Sequence, residues 1–555
     1  MKVFSKTLMA VSVMLAASGV STVAMAGSTT MVTLTPQKIV GNNSGAGGST
    51  AVALSKGGTQ AAFTSFASNL TLQDGNPASD VFLRIGTSAF QKMSVNSLGQ
   101  DARNSAANWY DGNNFSSSSN AAISSDGKLV VFQSDADNLD RLTLDTNNNT
   151  GSGTQGDVFL RDVSKKKTYR LSGIVDGADG SITPNLLDVD GNPVVSADAP
   201  WKVITEGNAQ SANPAIAGTL KQAWVAFESQ ATNLAVSYSA PPITLTPFPT
   251  TASRSHIYVV DTKTKKIELI DATHDVSGNP LVEGNNNSSN AAISQDGRFV
   301  VFQSDASNLV AAPVTANNTD IFVYDRKLFT MYQISGVLGA VSPTGGYAVA
   351  TEADNSSAVP SIAGDGKSKT KSYMIAFESR ATNLDTIPVV DNGTDRDVFV
   401  VQFAATDTKN ANAAYEIKSV LRVSSPIDAV TGLPTGEGTS QGSGTAANSR
   451  APVIAGTDLA YTVAFRSTAD NLLAVDPLLP YWNEDTNNLQ DIYVYSSKTK
   501  TFQRANVDVT GEQGTATANN PAISPDGKAV GFDANDSYLT PDSLGAGTQV
   551  YLRKL

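Results

Sequence analysis

The chain has 555 residues, of which 40% are hydrophobic and 16% are charged, and its formal net charge at pH 7 is −12. It contains no cysteine, which excludes disulfides, thiolate metal sites and a thiol nucleophile. Because nucleic-acid phosphates require a basic footprint, an acidic chain of this kind also excludes nucleic acid as a partner.

The amino-terminal segment differs in composition from the rest of the chain. Lys2 and Lys6 precede an apolar run over residues 8–23, and Ala-Met-Ala at residues 24–26 supplies the spaced small residues of a cleavage site. This order predicts a secretory signal peptide over residues 1–26, and hence export to the periplasm or the cell exterior. Loss of the two lysines leaves 37 basic against 51 acidic residues, a net charge of −14. No later segment is apolar enough to span a bilayer, so we expect no membrane span in the mature chain.

A strand-like segment at about residues 30–40 precedes the main feature of the chain, the recurring pattern F-x-S-x-A-x-N-L. All seven copies keep the Phe and the Leu seven positions apart, and the last copy alone loses the Ser, the Ala and the Asn. In a strand, alternate residues share one face, so the small residues would let a neighbouring sheet approach closely. We therefore interpret the motif as structural. Its phenylalanines are Phe63, Phe132, Phe227, Phe302, Phe377, Phe465 and Phe532.

Each copy belongs to a larger unit of four short strands. An apolar strand such as Ala122-Ile123-Ser124 comes first, followed by a tight turn, the motif strand, a polar loop and a third strand that begins with sequences such as Asp157-Val-Phe159. A fourth strand follows in six units. Seven such units predict an all-β fold, a seven-bladed β-propeller of four-stranded antiparallel blades, as one domain over residues 27–555. The predicted blades lie at about residues 48–97, 115–175, 208–272, 286–337, 355–425, 447–508 and 515–555.

The two ends of the chain predict how the ring closes. The seventh unit stops after its third strand, whereas the segment at about residues 30–40 has no place in the first unit. We expect this amino-terminal strand to complete blade 7, which would bury an otherwise exposed sheet edge.

The repeat resembles the TolB-type, WD-like β-propeller repeat of bacterial exported proteins. The resemblance is carried by Ser294-Gln-Asp296-Gly297-Arg-Phe-Val-Val-Phe302 and by Asp320-Ile-Phe322-Val-Tyr-Asp325, and it extends over essentially the whole mature chain. It implies the propeller fold. For function it implies little, because relatives of this type serve as protein-binding platforms or as non-catalytic modules of larger enzymes.

Motifs for catalysis are poorly matched. Of the two histidines, His256 occupies a position that is Asp in five other blades, and His274 lies in a loop without an obvious partner. A G-x-S-x-G match at residues 438–442 lies in a Gly/Ser-rich loop after both histidines, which contradicts the order that a nucleophile elbow requires. The chain ends in its seventh blade, so we expect no appended α/β-hydrolase domain. Paired carboxylates for glycoside hydrolysis stay open, because Asp and Glu are plentiful in the loops.

The loops before the third strands carry the best chemical signal. Alternating acidic and amide residues suit Ca²⁺, which takes six to eight oxygen ligands, although the spacing is not that of an EF-hand. The alternative is that they form Asx-turns. The candidate calcium ligands are Asp74, Asn76, Asp80, Asp145, Asn147, Asp157, Asp391, Asp395, Asp397, Asp485, Asn487 and Asp491.

Asparagine recurs at another equivalent position, just before the innermost strands. In a propeller these positions would ring one mouth of the central channel, so we treat them as candidate ligand-binding residues, with loop capping as the alternative. A neutral polar ligand or a protein loop suits them better than an anion, which the net negative charge repels. The residues are Asn120, Asn213, Asn290 and Asn520.

These features favour a monomeric, non-enzymatic binding or scaffolding module of the bacterial envelope or exterior. Its expected partner is an envelope or extracellular protein or a polar glycan, and no residue is assigned a catalytic role. Two alternatives stay open: a carbohydrate-active hydrolase or lyase that uses carboxylates at one mouth of the propeller, and a calcium-stabilised structural protein of the envelope. Convergence of several carboxylates, or of Tyr, Arg and His, at one mouth would favour the enzyme.

Overall fold

The computed structural model describes residues 27–555 apart from residues 36, 39, 42–47, 72–76, 88–89, 104–114, 144–155, 177–186, 195–197, 199–200, 240–244, 312–317, 385–394, 437, 440–446, 474–484 and 543–546. The predicted signal peptide lies outside the described residues. Regular structure in the described part of the chain consists of 36 β-strands and one short 3-10 turn at Lys56–Gly58. Over the same residues, no helix has the length and hydrophobicity to cross a membrane.

The first half of the chain contributes the amino-terminal strand and three blades. Blade 1 is β2–β5, blade 2 is β6–β9, and blade 3 is β12, β13, β16 and β17. The strands are β1 (Thr29–Met31), β2 (Ser49–Leu54), β3 (Gln60–Ser65), β4 (Asp80–Ile85), β5 (Gln91–Lys92), β6 (Ser118–Ile123), β7 (Leu129–Ser134), β8 (Asp157–Asp162), β9 (Lys167–Arg170), β10 (Gly173–Val175), β11 (Val203–Glu206), β12 (Ser211–Thr219), β13 (Gln222–Ser229), β14 (Val236–Tyr238), β15 (Leu245–Pro247), β16 (His256–Asp261) and β17 (Ile267–Leu269).

The second half contributes four blades, namely β20–β23, β26–β29, β30–β33, and β34–β36 with β1. Four two-stranded ribbons, β10–β11, β14–β15, β18–β19 and β24–β25, lie outside the blades. The remaining strands are β18 (Ala272–His274), β19 (Pro280–Glu283), β20 (Ser288–Ile293), β21 (Phe299–Ser304), β22 (Asp320–Asp325), β23 (Thr330–Gln333), β24 (Gly336–Leu338), β25 (Val349–Glu352), β26 (Ser357–Ala363), β27 (Ser372–Ser379), β28 (Asp397–Ala405), β29 (Tyr415–Arg422), β30 (Ser449–Thr457), β31 (Ala460–Ser467), β32 (Asp491–Ser496), β33 (Thr501–Arg504), β34 (Ala518–Ile523), β35 (Ala529–Ala534) and β36 (Gln549–Lys554).

The seven four-stranded antiparallel sheets confirm the predicted propeller. The first strand of each blade is innermost and contacts the first strands of both neighbouring blades. The contact between β2 of blade 1 and β34 of blade 7 closes the ring.

The recurring Phe packs on the aromatic residue of the third strand in every blade. The ring centroids of Phe132 and Phe159 are 5.9 Å apart in a stacked arrangement, and such pairs add about 1 kcal/mol beyond the burial of their area. The third strand therefore needs an aromatic residue two positions after its first residue. The other pairs are Phe63–Phe82, Phe227–Tyr258, Phe302–Phe322, Phe377–Phe399, Phe465–Tyr493 and Phe532–Tyr551.

The recurring Ser is paired across the two inner strands. Ser134 Oγ accepts a hydrogen bond from Ser118 Oγ at 2.9 Å, and the N–H of Ala136 donates to it at 3.3 Å. Both side chains are buried, so the pair satisfies groups that would otherwise be costly to bury. In blade 7, where the motif loses its Ser, Ala534 faces Ala518, so both partners are replaced together.

The amino-terminal strand completes blade 7 as predicted. β1 pairs antiparallel with β36, and Met31 lies opposite Tyr551. The regular strand is shorter than the expected segment: after Met31 the chain turns, and Leu34 forms an isolated bridge with Val40.

Candidate functional site

The inner strands enclose a central channel with a volume of about 800 Å³. Small and apolar residues of the inner strands line it, including the partly exposed Ala122, Ala215, Ser361 and Val453. At the end formed by the turns after the inner strands, its lining also includes the charged residues Lys56, Asp365, Lys367 and Asp526. In blade 2 the first residue of the Ala-Ile-Ser sequence is partly exposed at the channel, while the following Ile123 is buried.

One mouth of the channel is bordered by a β-bulge in every inner strand. In blade 2 the register between β6 and β7 shifts between Ser119 and Ala122, and Asn120 has a φ of 52°. Asparagine tolerates this left-handed conformation better than most residues, which explains its recurrence. The four candidate asparagines therefore lie inside the inner strands, not before them. The bulge residues of the seven blades are Ala51, Asn120, Asn213, Asn290, Val359, Ala451 and Asn520, with φ between 48° and 54°.

We call this side of the ring the bulge face. It contains the starts of the inner and third strands and the ends of the second strands, because antiparallel pairing places Ser118, Ser134 and Asp157 at the same edge of a blade. All four candidate asparagines and the described calcium-ligand candidates belong to this face.

A belt of hydrogen bonds links neighbouring blades at the bulge face. Gln133 Oε1 accepts the Asn120 amide of its own blade at 3.1 Å and the backbone N–H of Asn213, in the next blade, at 3.0 Å. The equivalent bonds across the next blade boundaries are Asn290 N–H to Glu228 at 2.7 Å, Val359 N–H to Gln303 at 2.9 Å and Ala451 N–H to Glu378 at 2.7 Å.

The acceptors of this belt occupy the position directly after the motif Phe. That position carries Gln, Glu or Asp in five blades, and Thr64 and Arg466 in the other two. The position was not among the predicted site residues, because its residue varies and its bonding partner lies in another blade. The shared property, a side-chain acceptor next to the recurring Phe, was the available signal.

Burial raises the pKa of the Glu228 carboxyl, and the hydrogen bonds from Asn290 and Asn213 only partly offset that effect. Burial likewise raises the pKa of Asp533, whose Oδ1 accepts the Asn520 amide at 2.8 Å. Both carboxylates therefore accept hydrogen bonds from N–H groups of the bulge asparagines.

The candidate calcium residues that begin third strands are bonded within the protein. Asp80 contacts Lys92 Nζ at 2.7 Å and accepts Ser94 Oγ at 2.6 Å. Asp491 contacts Arg504 Nε at 2.8 Å and accepts Asn506 Nδ2 at 2.6 Å. Asp157 likewise contacts the cation of Arg170 and accepts a hydrogen bond from Ser172 Oγ. Asp397 does the same with Arg422 and Ser424.

The other candidates are dispersed. Asp485 accepts the N–H of Asn487 at 3.1 Å, as an Asx-turn does, and Asp395 accepts the amide of Asn448. Within the described ranges, no group of three or more His, Asp or Glu residues is arranged to hold a metal ion. Asp74, Asn76, Asp145, Asn147 and Asp391 lie outside the described residues, as does Ser440 of the G-x-S-x-G match.

His256 is fully buried between two carboxylates. Its Nδ1 lies 2.9 Å from Asp271 Oδ2, and its Nε2 lies 3.3 Å from Glu283 Oε2. Burial lowers its pKa, but the hydrogen bond and charge of Asp271 and the charge of Glu283 outweigh this and raise the pKa above its ordinary value. In blade 2 the acid, Asp157, begins the third strand and its partner Ser172 follows the fourth strand. In blade 3 the acid is Asp271, at the position equivalent to Ser172, and its partner His256 begins the third strand. His256 is accounted for as a member of this structural cluster.

His274 has a different environment. Its Nε2 lies 2.8 Å from the carbonyl oxygen of Leu269, its ring is 4.6 Å from that of Tyr324, and burial lowers its pKa. The two histidines therefore belong to separate contacts.

No family model matches the chain, and no curated protein is similar to it in sequence. Among solved structures, the chain is similar to an oligogalacturonate lyase from Vibrio parahaemolyticus, with 11% identity, a TM-score of 0.36 and coverage of 92% of this chain and 90% of that one. It is also similar to a putative TolB from Agrobacterium tumefaciens, with 11% identity, a TM-score of 0.27 and coverage of 67% and 81%. TolB from Acinetobacter baumannii is also similar, with 11% identity, a TM-score of 0.25 and coverage of 73% of this chain and 77% of that one.

Proposed function

We propose that the protein is an exported, non-catalytic β-propeller that binds a segment of a partner protein at the bulge-face mouth of its channel. The observation that carries this proposal is the belt: Gln133, Glu228, Gln303 and Glu378 each accept a backbone N–H of the next blade. These side chains therefore form hydrogen bonds that link neighbouring blades, which is a structural role. Export is supported by the signal-peptide pattern at residues 1–26.

The chemistry of the mouth suits a protein segment. The exposed amides of Asn120, Asn213, Asn290 and Asn520 supply neutral donors and acceptors at the rim. Small and apolar inner-strand residues line the channel behind them, and its charged lining residues lie at the opposite end. A short peptide segment offers both backbone hydrogen bonds and apolar side chains, so it matches both parts. The resemblance of the repeats to TolB-type propellers of exported proteins supports a role as a binding platform.

The test is capture of partners from the envelope of the source cell by the mature protein and by a variant whose channel is obstructed. Ala122→Arg with Ala215→Arg places two long cationic side chains in the channel. The matched control places the same charges at Val276 and Val509, which are 97% and 61% exposed. Partners that bind the wild type and the control but not the channel variant support the proposal. Equal capture by all three proteins contradicts it.

A carbohydrate-active hydrolase or lyase is the second candidate, and Glu228 is the observation that favours it. This half-buried carboxyl at the mouth has a raised pKa, as a general acid requires. Glu228→Gln separates the two functions, because Gln occupies the same position in blades 2 and 4. A glycan-cleaving activity that the wild type shows and this variant loses, with an unchanged melting temperature, would establish the enzyme instead of the binding module.

A third role, as a calcium-stabilised structural protein, is addressed by melting curves of metal-stripped protein with and without calcium.

A further inference from the structure

A recurring ion pair at the bulge face has a different composition in blade 4. In blades 1, 2, 5 and 6 the Asp that begins the third strand contacts a cationic side chain of the fourth strand. The cation always lies opposite the third-strand aromatic residue in the ladder. In blade 4 the residue at this register, opposite Phe322, is Gln333. The cations of the other blades are Lys92, Arg170, Arg422 and Arg504.

A second carboxylate reaches the same place from the ribbons that follow blades 2, 3 and 4. Glu206, Glu283 and Glu352 are the last residues of their ribbon strands and lie opposite Gly173, Ala272 and Gly336 respectively. In blade 2 the guanidinium of Arg170 lies between Asp157 and Glu206. In blade 3 the imidazole of His256 lies between Asp271 and Glu283. In both blades, a side chain that can carry a positive charge therefore lies between two carboxylates.

Blade 4 brings the two carboxylates together with an amide. Asp320 is fully buried, and the charge and hydrogen bonding of Glu352 act on its carboxyl directly. Asp320 Oδ1 accepts Ser335 Oγ at 2.7 Å, but Oδ2 accepts no hydrogen bond. Gln333 is 8% exposed, its Nε2 donates to the Ser335 carbonyl at 3.0 Å, and its Oε1 accepts no hydrogen bond.

This arrangement is electrostatically unfavourable without a positive group. Asp320 is fully buried, its Oδ2 accepts no hydrogen bond, and the fourth strand faces it with Gln333 in place of a cation. A buried carboxylate oxygen without a hydrogen-bond donor is costly, and a second carboxylate nearby destabilises the charged form further. A bound cation would satisfy the free oxygens of Asp320 and Gln333 and offset the repulsion between the carboxylates.

We propose that blade 4 binds a divalent cation of the calcium class between Asp320 and Glu352, with Gln333 Oε1 as a further ligand. Carboxylate and amide oxygens are the ligands that hard cations prefer. Two carboxylates match the charge of one divalent ion, which takes the place that Arg170 and His256 fill in blades 2 and 3. The site is distinct from the loop residues for which the sequence predicted calcium.

The test uses the mature protein, stripped of metal with a chelator, at neutral pH and fixed ionic strength. Calcium should raise the melting temperature of the wild type by several degrees, and dialysis should find one bound ion that is lost in Gln333→Arg. This variant introduces the guanidinium of blades 2, 5 and 6, so it should melt at the higher temperature without calcium. Arg170→Gln makes the reciprocal change in blade 2 and should add a calcium response there.

Three results would overturn the proposal. The first is an absent calcium response in the wild type. The second is a calcium-induced rise in melting temperature that persists unchanged in Gln333→Arg and in Glu352→Gln. Two variants are used so that the test still holds if one of them fails to fold. The third is a wild-type protein that is stable at mildly acidic pH but loses stability at neutral pH, with no recovery on addition of calcium or magnesium. That result would indicate that a shared proton, and not a cation, bridges Asp320 and Glu352.

Discussion

Thr33 Oγ1 donates a hydrogen bond of 2.5 Å to Gln549 Oε1, although the two residues are 516 positions apart in the chain. The bond is equivalent to that of Ser172 to Asp157 within blade 2. In both blades the donor follows the outermost strand by two residues, and the acceptor begins the third strand. The amino-terminal segment thus replaces the missing fourth strand in its pairing and also in the side-chain contact that follows it.

Removing this strand is expected to destabilise the whole ring. Deletion of residues 27–35 removes the buried side chains of Met31 and Val32, each worth roughly 2 kcal/mol, and exposes the edge of β36. We expect a clear fall in the melting temperature, measured by calorimetry. Thr30→Ala is the control, because Thr30 is exposed in the same strand. An unchanged melting curve for the deletion would show that the strand does not close the ring.

The paired serines should behave as one unit. Ser134→Ala alone leaves the buried Ser118 hydroxyl without its acceptor, and Ser118→Ala alone removes a donor to Ser134, whose Oγ still donates to the Ser117 carbonyl. We expect each single change to cost about 1–2 kcal/mol. The double substitution recreates the Ala518–Ala534 pair of blade 7, so it should cost less than the sum of the two single changes. Chemical denaturation of the four proteins in a double-mutant cycle measures the coupling. Strict additivity would contradict this interpretation.

Val359 is expected to be a correctable source of strain. It has a φ of 51° at the bulge of blade 5, a conformation that is unfavourable for a β-branched residue. Val359→Asn should stabilise the protein by about 1 kcal/mol, because blades 2, 3, 4 and 7 carry Asn at this position. The reverse change, Asn290→Val, should destabilise it by a similar amount. Denaturant midpoints that move in the same direction for both variants would refute the explanation.

The sequence predicted the features that each blade contains by itself. The fixed distance between Phe and Leu identified seven units, and the missing fourth strand of the last unit indicated that β1 would complete it. Interactions between units were not predictable in the same way. The bond of Gln133 with Asn213 spans 80 positions, and an acceptor next to the recurring Phe does not by itself indicate which residue of another blade it contacts. The ribbon β24–β25 lies outside the repeat pattern, so the approach of Glu352 to Asp320 also required the three-dimensional structure.

The buried imidazole of His256 predicts a pH dependence of stability. Its pKa is raised in the folded protein, so the folded state binds the proton more tightly than the unfolded state does. The resulting stabilisation is fully present below the ordinary pKa of 6.5 and is lost as pH rises through the raised pKa. His256→Gln, which cannot carry the charge, should therefore lose less stability than the wild type as the pH changes from mildly acidic to alkaline.

The measurement is the free energy of unfolding in denaturant across that pH range. His274→Gln is the control, because burial lowers the pKa of His274: its contribution is lost as pH falls, not as pH rises. The control should therefore keep the alkaline decline of the wild type, whereas His256→Gln should flatten it. Parallel curves for the wild type and His256→Gln would mean that Asp271 and Glu283 do not hold a protonated imidazole between them.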